Sequence, residues 1–391
     1  MKEVVIAAAV RTPVGSYLGS LSSLKGPELG AIVIKEAVKR ANIKPEDVSE
    51  VIMGCVLPAG MGQAPARQAA IFAGLPDSVP CLTINKVCGS GLKAVMLAEQ
   101  AIKCGDAEII IAGGFESMSN VPYYLDKART GYRMGNGTVI DGMVHDGLWD
   151  VYNNFHMGSA AEMCAKEMKI TREEQDAFAE ESYKRAMNAI EKGLFKEEIV
   201  PVEIKDRKGT VIVSEDEDVM KVNFEKGKTL KGAFQKDGTV TAFNSSNLND
   251  GAAALVLMSA DKAKELGITP LAKIVAQGSF AQKPEWFTTS PAYAIKNVLK
   301  KSGLEVKDLD LIEANEAFSV QACAVNKLAE LDPAKVNVHG GAVAIGHPIG
   351  GSGARILTTL LYAMKTRNVK RGLATLCIGG GEASALIVEK V

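Results

Sequence analysis

The sequence predicts an α/β fold made of two duplicated halves, stacked as layers of helix and sheet, with a long inserted segment. Two internal repeats and one unmatched stretch carry this prediction. In the first repeat, IKEAVKRANIKPEDVSEVI (residues 34–52) matches IKNVLKKSGLEVKDLDLIE (295–313) with a gapless shift of 295 − 34 = 261. In the second, the segment from Cys88 (CGSGLKAVMLAEQAIKCGDAEIIIAGGFES) matches that from Gly350 (GGSGARILTTLLYAMKTRNVKRGLATLCIGGGEAS). The shift is 351 − 89 = 262 at the leading glycines and 379 − 113 = 266 at the trailing ones, so the later copy gains a few residues. Each copy reads as glycine turn, helix, short loop, apolar strand and glycine pair, a plan that buries its strands under helices. Residues from about 118 to 248 have no counterpart. The expected organisation is a first half of residues 1–118 plus 249–268, an inserted loop domain of 119–248, and a second half of 269–391.

The elements follow in chain order. Residues 4–10 form a short apolar run stopped at once by Arg11 and Pro13, which reads as a buried strand and not as a signal sequence. Residues 34–52 and 295–313 each read as an amphipathic helix, a turn at Asn42 or Gly303, an acidic capping segment and an apolar strand. The insertion opens with Pro/Tyr/Gly-rich sequence (122–147). A helix follows, with Thr171 as N-cap and Glu174 three residues on, and then a charged, strand-poor stretch at 205–236. An insertion of this kind is expected to cover a substrate.

Composition narrows the function. A chain of 391 residues, 47% hydrophobic, has enough apolar material for two or three cores. A net charge of −1 offers nothing to nucleic acid or to an anionic membrane, and no apolar stretch nears the roughly 20 residues of a membrane span. The seven cysteines are scattered, with no Cys-x-x-Cys pair and no zinc-like spacing. Free thiols in a reducing cytoplasm, with no metal site, are the expectation.

Four segments can carry chemistry. In TINKVCGSGLKAV, Cys88 leads a glycine-rich helix start, where the positive end of the helix dipole favours thiolate and the glycines permit a tight turn. Cys88 equally fits a small buried hydrophobe, and GSGLKA also matches G-x-G-x-x-A, which would make the chain a nicotinamide-dependent oxidoreductase. That match lies outside the first strand–helix unit, and no acidic residue stands at the expected distance. In NVHGGAVAIGHPIGGSGAR, His347 sits on a glycine- and proline-shaped loop as a candidate base. CIGGGEAS places Cys377 at a strand end, followed by glycines whose N–H groups are free to hold an oxyanion. In EANEAFSVQ, Asn315 can orient a water or act as an ordinary helix N-cap. The repeat puts these segments opposite one another. Two cysteines and a histidine without metal spacing point to acyl chemistry, with one thiolate attacking and the other moving a proton.

With these motifs, and with AGGFESMS, GYRMGN, FHMGSAAE and NEAF beside them, the chain resembles the thiolase family from end to end, in its biosynthetic branch. The resemblance implies a thiolase-like fold. It also implies Claisen condensation of two acetyl-CoA to acetoacetyl-CoA and CoA, or the reverse thiolysis, with the CoA thioester as substrate and no cofactor. It makes Cys88 the acylated nucleophile, His347 its base and Cys377 the group that handles the α-proton. Asn315, through a water, forms one oxyanion hole with His347, and the N–H groups of Cys88 and Gly379 form the other. Leu148, His156, Met157, Ser246, Ala317 and Phe318 are implied to line the CoA tunnel, and GYRMGN to join dimers into a cytoplasmic homotetramer.

The chain departs from the family around the substrate. Phe243 and Asn247 stand where glycines are common, which predicts a narrowed tunnel. WFTTSP (286–291) replaces an acyl-pocket segment, Met220 replaces a basic residue, and Glu382 follows the CIGGG loop. The expectation is a thiolase of altered chain specificity, with a non-catalytic acyl-CoA binder as the alternative. A ketoacyl-carrier-protein synthase is disfavoured by the second cysteine.

Overall fold

A computed structural model describes residues 2–206 and 209–391. Its main sheet is built from β1 (Val4–Arg11), β2 (Glu50–Gly54), β3 (Cys81–Ile84), β4 (Ile109–Ser117), β5 (Asn249–Ser259), β6 (Ala272–Ala281), β7 (Leu311–Ala314), β8 (Arg371–Ile378) and β9 (Glu382–Glu389). Across the sheet the order is β7-β8-β9-β6-β1-β5-β4-β2-β3. β1 and β6 meet antiparallel through Val5–Lys273 and Ile6–Ala272 alone. Outward from that seam the two sides match: β5 and β9 run antiparallel to their inner neighbours, β4 and β8 follow antiparallel, and β2 and β7 close with parallel pairing. Even the edge strand β3 has an echo, a parallel bridge from Ile312 to Val336. The repeat read from the sequence is thus a pseudo-twofold in the sheet.

Side-chain alternation along the strands divides the core. Ile110 and Ala112 of β4 face an inner core, while Ile109 and Ile111 face an outer one. The outer core is covered by α1 (Gly26–Ala41). Its counterpart in the second half is covered by α5 (Ser290–Ser302). Between the halves run α2 (Ser90–Cys104) and α7 (Ser352–Arg367), packed on each other. Every residue of α7 from Ser352 to Met364 is buried, as befits a helix with no solvent face. The repeat turns also hold: α1 ends at Asn42 with φ 53° and α5 at Gly303 with φ 71°, each in the left-handed conformation that closes a helix.

The glycines leading α2 and α7 serve packing and not a tight turn. A Cβ on Gly353 would lie 2.3 Å from the Leu92 nitrogen, and one on Gly91 would lie 2.8 Å from the Ala354 nitrogen. The two helix starts cross backbone to backbone, and only glycine leaves room.

The segment between β4 and β5 carries α3 (Met157–Met168) and α4 (Arg172–Glu191). α4 begins with the capping box expected at Thr171 and Glu174. The stretch expected to be strand-poor begins within a ribbon, Val202–Asp206 paired with Gly209–Val213, with residues 207 and 208 outside the described ones. Its β-branched Thr210, Val211, Ile212 and Val213 outweigh the surrounding charge. The segment is pinned to the end of β1 by Arg11, whose guanidinium donates to Glu198 (2.5 Å) and bidentately to Asp216 (2.7 and 2.9 Å), all fully buried. Among the described residues no helix is long and apolar enough to cross a membrane.

Candidate active site

The turn from β3 into α2 presents Cys88. Val87 holds φ 45°, a costly conformation for a β-branched residue. Three hydrogen bonds keep it there: Val87 N–H to Asn85 Oδ1 (2.9 Å), Lys86 N–H to Ser90 Oγ (2.8 Å), and Ser90 Oγ–H to the Val87 carbonyl (2.7 Å). An ion pair between Lys86 and Glu382 then clasps this turn to the loop that follows Cys377. The Cys88 sulfur faces its own N–H and that of Gly379. These donors favour thiolate, but burial outweighs them and pushes the thiol up to about 11, with buried Glu116 adding to the rise. The helix start therefore does not give the ready thiolate expected from the sequence. At neutral pH Cys88 is a thiol that needs a base.

His347, the candidate base, lines the same cavity as Cys88. Its Nδ1 lies 2.6 Å from Ser352 Oγ, and Ser352 Oγ–H donates to the Pro348 carbonyl (2.9 Å). The Ser352 oxygen is left to accept, so Nδ1 carries the ring proton and Nε2 keeps a lone pair. Nε2 lies 3.4 Å from Asn315 Nδ2. Burial, with Arg355 nearby, pushes the ring down to about 3, so it stays neutral and able to accept a proton at ordinary pH. Ser352 was not singled out in the sequence, yet the repeat contains it. With 352 − 90 = 262, it is the equivalent of Ser90, the serine that orders the Cys88 turn.

Asn315 is buried and its Oδ1 has no partner among the described residues. It is not a helix N-cap: the next helix, α6 (Ser319–Leu328), is preceded by Phe318. Cys377, next to last in β8, is fully buried in one core with Met157, Phe287 and Phe318. Burial, and secondarily Cys88, raises its thiol well above the ordinary range. Glu116 underlies the centre. It accepts from the N–H groups of Val56 (3.0 Å), Leu57 (3.1 Å) and Gly350 (3.0 Å), and burial brings it up to about 7.

Cys88, His347 and Gly379 line a cavity of about 340 Å³. Leu148, His156, Met157, Ser246, Ala317 and Phe318 line it as well, so these nine residues from distant parts of the chain share one cavity, whereas Cys377 and Asn315 are not in its lining. His156 accepts the Gly158 N–H at Nδ1 (3.0 Å) and stacks on Phe234 (4.8 Å). Its Nε2 is therefore the protonated, donating nitrogen. Phe287, within the flagged WFTTSP segment, lines it too, and Phe234 and Leu248 complete an apolar wall that sequence reasoning missed, since nothing marks them as cavity-facing before the insertion is folded.

The comparisons fit this geometry. Residues 4–261 match the family model for the thiolase N-terminal domain, and residues 268–390 that for the C-terminal domain. The chain belongs to the thiolase family. It is 56% identical to an acetyl-CoA acetyltransferase of Cupriavidus necator, over 100% of both chains. It is 54% identical to one of Schizosaccharomyces pombe, over 100% of this chain and 99% of that one. A crystal structure of the Bacillus anthracis acetyl-CoA acetyltransferase superimposes with a TM-score of 0.98 at 44% identity, covering 100% of this chain and 99% of that one.

Within this thiolase, four departures from the family pattern, at Phe243, Trp286, Met220 and Glu382, miss the cavity. Phe243 does not narrow it: the ring stacks on Tyr183 (6.0 Å) and fills space left by Gly227 in a separate core. Trp286 does not line it, but its neighbour Phe287 does. Asn247 is in the wall. Met220 is exposed, and Lys221 is engaged by Ser16 (2.9 Å) and Glu217 (2.5 Å).

Proposed function

We propose that this chain is an acetyl-CoA C-acetyltransferase, condensing two acetyl-CoA to acetoacetyl-CoA and CoA, or running the reverse thiolysis, through an acyl-Cys88 intermediate. The carrying observation is the single cavity that Cys88, His347 and Gly379 all line. His347 Nε2 takes the Cys88 proton, and the thiolate adds to the thioester carbonyl. The tetrahedral oxyanion is held by the N–H groups of Cys88 and Gly379. The C–S bond to CoA breaks, and the departing CoA thiolate takes the proton of Cys377. Cys377 thiolate then removes the α-proton of a second acetyl-CoA. Acylation keeps Cys88 from ionising, and a Cys88 thiolate is what would oppose a thiolate at Cys377. The enolate oxygen is met by a water on Asn315 and by the proton now on Nε2. Its carbon attacks the acyl-cysteine, Cys88 leaves, and His347 returns its proton.

Leu148, His156, Met157, Ser246, Ala317 and Phe318 are proposed to hold the CoA arm. Asn247 and Phe287, both departures from the family pattern, bear on chain length. A phenyl ring in the acyl-pocket segment supports short acyl groups. The reading extends to a cytoplasmic homotetramer without a bound cofactor. It is supported by seven free thiols and by the exposed Tyr132 and Met134 of the GYRMGN loop. Intact-mass spectrometry after exposure to acetyl-CoA tests the core of it. One acetyl adduct is expected, lost in Cys88→Ala; no adduct, or one that survives that substitution, overturns the reading.

A further inference from the structure

We propose that Asp218, on the inserted segment, is a positioning residue for His347 that acts through Asn249 and ties the wall of the cavity to the base. The proposal rests on the acyl-transfer reading above. The His347 N–H donates to Asn249 Oδ1 at 2.9 Å. Asn249, fully buried, donates through Nδ2 to Asp218 Oδ2 (2.8 Å) and to the Gly15 carbonyl (2.9 Å). A main-chain N–H only donates, and a carbonyl and a carboxylate only accept, so the amide fits in one orientation. Asp218 Oδ2 also accepts from Asn247 Nδ2 at 3.2 Å, and Asn247 lines the cavity. Asp218 Oδ1 accepts from Ser16 Oγ–H, itself held by Lys221 Nζ at 2.9 Å.

The loop before the base is shaped around this amide. Gly346 has φ 110°, and a Cβ there would lie 2.4 Å from Asn249 Oδ1. A shift of Asn249 therefore moves the His347 backbone, and Nε2 with it. Ser352 fixes which nitrogen is protonated; Asp218 and Asn249 fix where the ring sits. Errors of about 1 Å in such a group cost on the order of 100-fold in rate. Asp218 touches no reacting atom. Its effect belongs in kcat and in the rate of Cys88 acetylation more than in KM.

Asp218→Leu keeps the shape and removes both acceptors, whereas Asp218→Asn keeps one oxygen for the two amides. Asp218→Leu is expected to slow single-turnover acetylation of Cys88 by about 10- to 100-fold with KM for acetyl-CoA changed by less than about threefold, and Asp218→Asn to stay within about threefold of wild type. A second pair guards against misfolding. Asn249→Asp keeps the oxygen for the His347 N–H but sets a carboxylate against Asp218, and should slow acetylation. Adding Asp218→Asn should restore about tenfold of that loss, a coupling that independent sites do not show. Wild-type acetylation is the control: if wild type takes up no acetyl group, the acyl-transfer reading fails. If wild type is acetylated and Asp218→Leu keeps its rate, or the Asn249→Asp defect is not relieved, the positioning role is overturned.

Discussion

At the scale of single residues, burial decides the chemistry more than sequence position does. A cysteine at a helix start suggests a lowered thiol pKa. In the folded chain desolvation dominates, with Cys88 near 11 and His347 near 3. Both groups are therefore neutral at ordinary pH, a thiol and an imidazole. This fixes the sign of a pH dependence. Alkylation of Cys88 by iodoacetamide, followed by peptide mass spectrometry, should accelerate steadily with pH up to about 11, the range in which its thiol ionises. An early plateau at neutral pH would mean that a thiolate is already present. The candidate nucleophile and base were legible from Cys88 and His347 themselves. Ser352 and Asn249 were not, because a serine or an asparagine gains its meaning from the atom it meets across the fold.

At the scale of elements, the repeat is the strongest message in the chain, and its glycines carry a meaning that spacing alone does not reveal. They read as turn formers but act as spacers where α2 and α7 cross, one helix start holding Ser90 beside Cys88 and the other Ser352 beside His347. Catalytic geometry and helix packing therefore depend on the same few atoms. Gly353→Ala should destabilise the fold by about 1–3 kcal/mol, because its methyl group meets backbone that has little freedom to yield. Gly278→Ala is the contrast: it is half-buried, and its Cβ would meet Val298 at 3.7 Å, an ordinary contact. Denaturant midpoints of the two variants should differ clearly, and equal midpoints would show that the crossing relaxes. The missed ribbon, Val202–Asp206 with Gly209–Val213, has the opposite lesson: charged flanks hid a short β-branched run.

At the scale of the whole molecule, the interior holds an unusual load of ionisable groups. Arg11, Glu198 and Asp216 pair across the junction of core and insertion. Glu313 has neither oxygen hydrogen-bonded among the described residues. Burial pushes it up to about 8, with Arg355 opposing and Glu316 and Glu198 adding to the rise. An unfolded glutamate titrates near about 4.3, so between there and pH 8 the unfolded chain loses a proton that the native state keeps. Wild-type stability therefore falls with rising pH in that window, by at most about 1.4 kcal/mol per unit from this group. Glu313→Gln has nothing to titrate, so its stability relative to wild type should grow from pH 5 to pH 8. A difference that stays constant, or that shrinks, would show an ionised Glu313 paired with Arg355.

The sequence by itself determined the duplicated α/β plan and the family, and it named Cys88 and His347 as candidates. Each of these is written in local patterns that recur at fixed spacing: hydrophobic periodicity, glycine-led helix starts and motifs repeated 261 to 266 residues apart. The tertiary structure alone decided which way Phe243 points, that Asn247 and Phe287 and not Trp286 stand in the cavity wall, and that Cys88 is held as a thiol. Side-chain direction and desolvation are set by neighbours hundreds of residues away, and no pattern along the chain encodes the dielectric in which a group will sit.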